Sequence, residues 1–186
     1  MRRITKAAAE DVIEKLSLGA ANRELAGYWL SLWQGNDPPQ YERFDSARLS
    51  ALVPNMMLFE VLPENHVTVR KAGIDLCRIL REDLDGTDWV RPAPVRCHGV
   101  RMRNFSAVAR GAAMIGRRRI AMAVGSTRYN EELVLPFAPR SDGTCPVIGH
   151  ADWKMDYHLR FTAITDIENL AHDSILQFRK RASGDL

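Results

Sequence analysis

Over the first third of the chain, apolar residues recur at the spacing of helix turns. Between Thr5 and Leu18, the residues Ala7, Ala8, Val12, Ile13 and Leu16 fall on or near one helical face, and Gly19 ends the run. Leu25, Tyr28, Trp29, Leu32 and Trp33 then stand at i, i+3, i+4, i+7 and i+8. That stripe predicts a second helix, capped by Asn22 and stopped by Gly35-Asn36-Asp37-Pro38-Pro39. Asp45 is placed to cap a short helix that turns Leu49 and Leu52 inward before Pro54 closes it.

From Asn55 the period changes. Met56 to Val61 and His66 to Ala72 are short runs of β-branched, aromatic and long apolar residues on either side of Pro63-Glu64-Asn65, which predicts an antiparallel hairpin. Gly73 leads into a short helix over Ile74 to Arg81, and Asp85-Gly86 marks a turn. A longer helix is expected between His98 and Ala113, with Val100, Phe105, Val108 and Ala112 toward the core, and Gly111 to Gly116 joining helix to strand. Arg118 to Val124 and Tyr129 to Phe137 read as a second hairpin around Gly125-Ser126, and Cys145 to Ala151 as a fifth strand. Two strands, helices, then three strands imply an α+β fold, an antiparallel sheet with helices gathered on one face. Near the C-terminus, Thr165-Asp166-Ile167-Glu168 has the form of a capping box. Ile167, Leu170, Ala171, Ser174, Ile175 and Phe178 follow at helical spacing, with Arg179-Lys180-Arg181 at the negative end of the predicted helix.

Composition narrows the class without changing this outline. At 186 residues the chain suits one domain with extensions, and its 46% apolar and 26% charged content is that of a globular protein. No apolar run approaches the ~20 residues that span a bilayer. The basic start, Met1-Arg2-Arg3, is followed by Glu10, Asp11, Glu14 and Lys15 where a signal sequence needs apolar residues, so no export is expected. The cysteines Cys77, Cys97 and Cys145 are odd in number and far apart, an inventory that suits a reducing cytoplasm better than a disulfide framework.

Several segments together point to a known family. Tyr28 to Leu32, Leu52 to Val61, Val69 to Gly73 and Asp83 to Thr87 resemble, in order, the small bacterial PAS domains of the PAS-5 type. Glu131 to Ala138, Asp142-Gly143 and Val147-Ile148-Gly149 are similar to that family's terminal strands. The resemblance implies a five-stranded antiparallel sheet wrapped by short helices, a sensory or scaffolding role, and dimerisation through N-terminal helices. It divides the chain into a helical extension at 1–44, a PAS-like domain at 45–155 and a C-terminal segment at 156–186. Where the family has glycine before its Asp-Leu-x-Gly turn this chain has Glu82, which predicts a less sharply bent backbone there.

The candidate chemistry is that of binding rather than catalysis. Gly125-Ser126 lacks the flanks of a nucleophile elbow, and no phosphate-binding glycine motif appears. His66, His98, His150, His158, His172 and the cysteines are not at the short spacings of zinc sites. His98 is the residue to consider as a haem ligand, since some PAS relatives bind haem, with a solvent-facing or capping role as its alternative. Met57, Phe59, Cys77, Leu80, Met102, Phe105, Met122 and Leu133 either line a central cavity for a small ligand or fill a solid core.

Arg70 alternates with Val67 and Val69 and is expected to pair with Asp83 or Asp85, or else to contact a ligand. No Asp or Glu interrupts the stretch from Arg91 to Arg128, which holds nine arginines. Arg117, Arg118 and Arg119 are the anion-binding candidates, unless such arginines pair with the acidic residues between Glu60 and Asp88 or near the C-terminus. Nucleic acid ranks below a small anion or an acidic protein because few aromatics interleave the arginines. Leu25, Tyr28, Trp29, Leu32 and Trp33 must be covered by their own sheet or by a partner; a homodimer through this stripe is the expectation, with another signalling protein as a further partner.

Overall fold

The computed structural model describes residues 5–35, 37–64, 66–80, 82–90, 95–122, 127–154, 164–169 and 174–177. Helix α1 spans Lys6–Lys15, with the Thr5 hydroxyl accepting from the Ala8 amide, and α2 spans Ala20–Ser31. Three short 3-10 turns, Tyr41–Arg43, Ser46–Leu49 and Val53–Asn55, carry the chain to β1 at Met56–Val61 and β2 at Val67–Ala72. The Asp45 carboxylate does cap the second of these turns, at the Ala47 amide. Helices α3 (Ile74–Leu80) and α4 (Val95–Ala109) follow, then β3 (Ala112–Met122), β4 (Thr127–Pro136) and β5 (Cys145–Lys154). These five strands form one antiparallel sheet in the order β2-β1-β5-β4-β3.

Three expectations are corrected. Gly19, not Asn22, caps α2; Asn22 lies within the helix and is fully buried. The long helix is α4, ending at Ala109, so Ala112 belongs to β3 and Val100 is exposed rather than in the core. Ala112 to Ile115 are buried to the last residue, and a run buried on both faces has no alternation to tell strand from helix. The capping box at Thr165 is not used: Ile164–Asn169 and Ser174–Gln177 form strands β6 and β7, both antiparallel to β3. The outer edge of β3 offers unpaired backbone groups, and β-branched residues such as Ile167 and Ile175 suit a strand there as well as a helix face. Leu170, Phe178 and Arg179-Lys180-Arg181 lie outside the described residues.

The sheet is apolar on both faces. Met57, Phe59, Val69, Val134 and Val147 point to the side covered by α3 and α4, while Ile115, Leu133, Leu135 and Ile148 point to the side covered by α1 and α2. Helices on one face therefore describes α3 and α4, and the N-terminal pair closes the other. Trp29 is completely buried; its ring meets Trp33 edge-on at 5.4 Å and its indole N–H donates to the Pro136 carbonyl at 2.8 Å. Leu25, Leu32 and Trp33 are buried in the same cluster, and Tyr28, half-buried, packs on Phe44. This corrects the dimer stripe: its own sheet covers it, because Leu133, Leu135 and Ile148 present an apolar surface that water would otherwise contact.

At the far edge, β2 is paired by the loop that follows α3. Val69 donates to the Thr87 carbonyl, and Gly86 and Trp89 donate to those of Val69 and Val67. Gly86 makes the tight return possible at φ 78°.

If the stripe is core, Trp29→Ala is expected to lower the stability of the monomer by about 3–5 kcal/mol. Trp29→Phe is expected to cost about 1–3 kcal/mol through the orphaned Pro136 carbonyl. Urea denaturation checks both; an unchanged midpoint for Trp29→Ala would contradict the placement.

Candidate functional site

On the α3/α4 side of the sheet, three aromatic rings occupy the middle of the layer. Phe59 of β1 meets Phe105 of α4 edge-on, with centroids 4.9 Å apart, and Trp89 at 5.5 Å. Phe59 is 0% and Phe105 2% exposed, and Met57 completes the contact from the same strand. Cys77, Leu80 and Met102 pack at the margin of this cluster, partly buried. Leu133 does not belong with them. The pleat turns it to the opposite face, beside α2, so it is corrected from the candidate lining. Met122 lies in β3, where its side chain is outside the described residues. Of the sequence candidates, Met57, Phe59 and Phe105 come together here in the buried cluster.

Arg70 stands on the outer face of β2, as its alternation with Val67 and Val69 requires. Its partner is Glu60 at 3.4 Å, not Asp83 or Asp85. Glu60 also takes Arg140 at 2.6 Å, and hydrogen bonding to this carboxylate raises the Arg140 guanidinium above its ordinary value. Asp85 is already occupied: Lys71 donates to it at 2.6 Å and the Ala72 amide at 2.9 Å.

Among the anion candidates, Arg117 is described in full. It forks onto Glu131 through Nε and Nη2 at 3.1 and 3.0 Å and donates to the Ser17 carbonyl at 2.6 Å. It pairs with Glu131, a residue outside the acidic segments expected to take it, which corrects it as an anion site; the Arg118 and Arg119 side chains are outside the described residues. Arg101 likewise turns inward, over the Trp89 ring at 5.0 Å.

Glu131 is the hub of a partly buried polar latch that sequence reasoning missed. Besides Arg117 it accepts from the Gly19 amide at 2.8 Å and from Asn22 Nδ2 at 3.0 Å, satisfying the N-terminus of α2 from a strand. Asn22 Oδ1 lies 2.8 Å from His150 Nδ1; since the asparagine amide already donates to Glu131, the imidazole is the donor. Burial pushes His150 below its ordinary 6.5 against the pull of Asp152. Burial alone would raise Glu131, but the donors from Asn22, Gly19 and Arg117 outweigh it and hold the carboxyl below 4.5. Gly19 is squeezed here, since a Cβ would sit 2.8 Å from an Asp152 carboxylate oxygen. A glycine before a helix, an asparagine on its first turn and Glu131-Glu132 in an apolar strand were the signals available.

A surface cleft of about 510 Å³ lies beside α3, lined by Ala72, Ile74, Cys77, Arg78, Glu82, Asp83 and Asp85. Cys145, by contrast, is buried in the core, and burial pushes its thiol to about 12, which keeps it inert. Among the described residues, no group of three or more His, Cys, Asp or Glu side chains is placed to hold a metal ion, and no helix is long and apolar enough to cross a membrane.

An antiparallel sheet in this order, with short helices packed against one face, defines a small α+β domain. A PAS domain family profile of the PAS-5 type matches residues 19–151, and the chain belongs to that family of generally sensory, signalling domains. The match begins at Gly19 and so includes α2. Among solved structures, the chain is similar to the PAS domain of an HTR-like protein from Haloarcula marismortui, at 18% identity and a TM-score of 0.36, over 58% of this chain and 96% of that one. No curated protein matches the sequence.

The latch makes stability depend on pH in two stages. An unfolded chain takes up a proton near 6.5 that buried His150 resists, so stability is fully present above that value and falls as pH drops below it. A second loss follows below 4.5 as Glu131 is protonated. In urea titrations, His150→Gln is expected to flatten the first stage, between pH ~7 and ~5, and to leave the second. An unchanged slope in that variant would assign the first stage elsewhere.

Proposed function

We propose that this PAS domain signals by binding another protein, with its interior serving as a rigid core rather than as a receptor cavity. The supporting observation is the edge-to-face packing of Phe59 against Phe105, with the Trp89 ring beside Phe59. Close-packed aromatic cores admit a guest only at the expense of displacing side chains. No catalytic role is proposed: the buried imidazole of His150 and the carboxylate of Glu131 are both engaged in holding α2.

Native mass spectrometry of the purified chain separates this reading from a small-ligand or haem sensor. The expected spectrum carries the polypeptide mass alone, with no visible absorbance band. A stoichiometric small molecule retained under native conditions and released on denaturation would overturn the proposal. Phe59→Ala is expected to open an apolar void, lowering stability by about 3–5 kcal/mol. It should also create binding of small aromatic probes that the unaltered chain lacks, read as a rise in thermal midpoint on addition of benzene.

A further inference from the structure

Among the described residues, Arg70, Arg78, Arg117 and Arg140 each hold a carboxylate, and Arg101 donates to the Trp89 carbonyl. Arg103 and Arg110 stand apart from these: both are exposed, and neither has a hydrogen-bond or ion-pair partner among the described residues. They sit on the outer face of α4, a helix that contains no Asp or Glu. At helical spacing, Gly99, Arg103 and Arg110 run along the middle of that face, opposite the buried Phe105 and Val108, and Val95 and Val100 form its two margins. Val95 is 81% and Val100 41% exposed. The Arg110 amide still donates to the Ser106 carbonyl at 3.2 Å, so the helical path carries the face one residue past Ala109.

Gly99 shapes the centre of this ridge. A Cβ there would lie 3.5 Å from Arg103 Nη1, so the guanidinium is laid back along the helix, over the glycine. The missing side chain also leaves the ridge low enough for close approach of another backbone. Three kinds of occupant carry acid to such a face. A lipid surface fits poorly, because α4 turns its large apolar side chains to the core and leaves valines to insert, without the Trp, Phe or Leu of interfacial helices. Nucleic acid would set phosphates against those valines, and the face has no aromatic ring on which a base could stack. Carboxylates suit both arginine forks, and apolar side chains between them suit the valines. Arg103 and Arg110 are two helical turns apart, about 10 Å along the axis, a separation that a second helix reproduces with acidic residues two turns apart.

We propose that this face of α4 docks an acidic amphipathic helix of another protein, whose carboxylates fork onto Arg103 and Arg110 while its apolar side chains cover Val95 and Val100. The inference rests on the partner-binding reading and gives it a surface and a partner chemistry. The two arginines set orientation and the rate of encounter, and burial of the valines slows departure.

Affinity selection on the intact chain from a random peptide library, ~16 residues long to match the ridge, is expected to enrich peptides with Asp or Glu two helical turns apart and apolar residues between them. Enriched peptides are expected to bind at least ~tenfold more weakly to the R103E with R110E variant and ~threefold more weakly to Val95→Ser, and to weaken between ~0.1 M and ~1 M salt. All three substitutions are at exposed positions, so the thermal midpoints of both variants should match that of the unaltered chain. Peptides enriched without acid, or bound equally well by R103E with R110E, would overturn the surface and leave the partner-binding reading standing. No enrichment at all would overturn both. If R103E with R110E instead abolished binding to phosphatidylserine vesicles, or self-association in sedimentation velocity, with peptide binding unchanged, the face would belong to a lipid surface or a second copy and the acidic helix would be overturned.

Discussion

The organisation of this protein depends on a sheet that is apolar on both faces. Leu133-Val134-Leu135 in β4 and Val147-Ile148 in β5 have no polar side to turn to water, so each face requires a layer of cover. Helices α3 and α4 supply one layer. The other comes from the N-terminal segment, where Leu25, Trp29 and Trp33 are consumed against Leu133, Leu135 and Ile148. A partner cannot use a stripe that the fold has already buried, so any assembly must be built from what is left outside.

The latch around Glu131 shows how that cover is held in one place. Hydrophobic contact is non-directional and would allow α2 to slide along the sheet. Hydrogen bonds from Gly19 and Asn22 to Glu131, with Arg117 and His150 behind them, pick a single register. Each member would be costly to bury alone, and together they satisfy one another. The same logic places Glu60 between Arg70 and Arg140.

The surface left over is uneven. The edges of the five-stranded sheet are paired, β2 by the loop at Gly86 to Trp89 and β3 by β6 and β7, which removes strand addition at those edges as a mode of association. Among the described residues, four of the five exposed large apolar side chains, Val53, Ile74, Val95 and Val100, lie on or beside α3 and α4.

Much of this could be read from residue order alone. Short runs of β-branched, aromatic and long apolar residues placed β1 and β2, the helical stripe placed α2, and the ordered segments from Tyr28 to Gly149 pointed to the family, because these signals are local. Where one segment fits two periods, the sequence was silent: Ala112 to Ile115 and Ile167 to Ile175 suit helix or strand, and contact with the rest of the sheet decided both. Pair choice was equally out of reach. Arg70 finds Glu60 because strand pairing sets Glu60 opposite Thr68, on the face that Arg70 shares, Leu133 faces α2 because of the pleat register, and Asn22 reaches Glu131 across the chain. Composition and spacing determine which residues must be buried or paired; only the tertiary structure decides with whom, since partners are set by distances between segments that the order of residues does not contain.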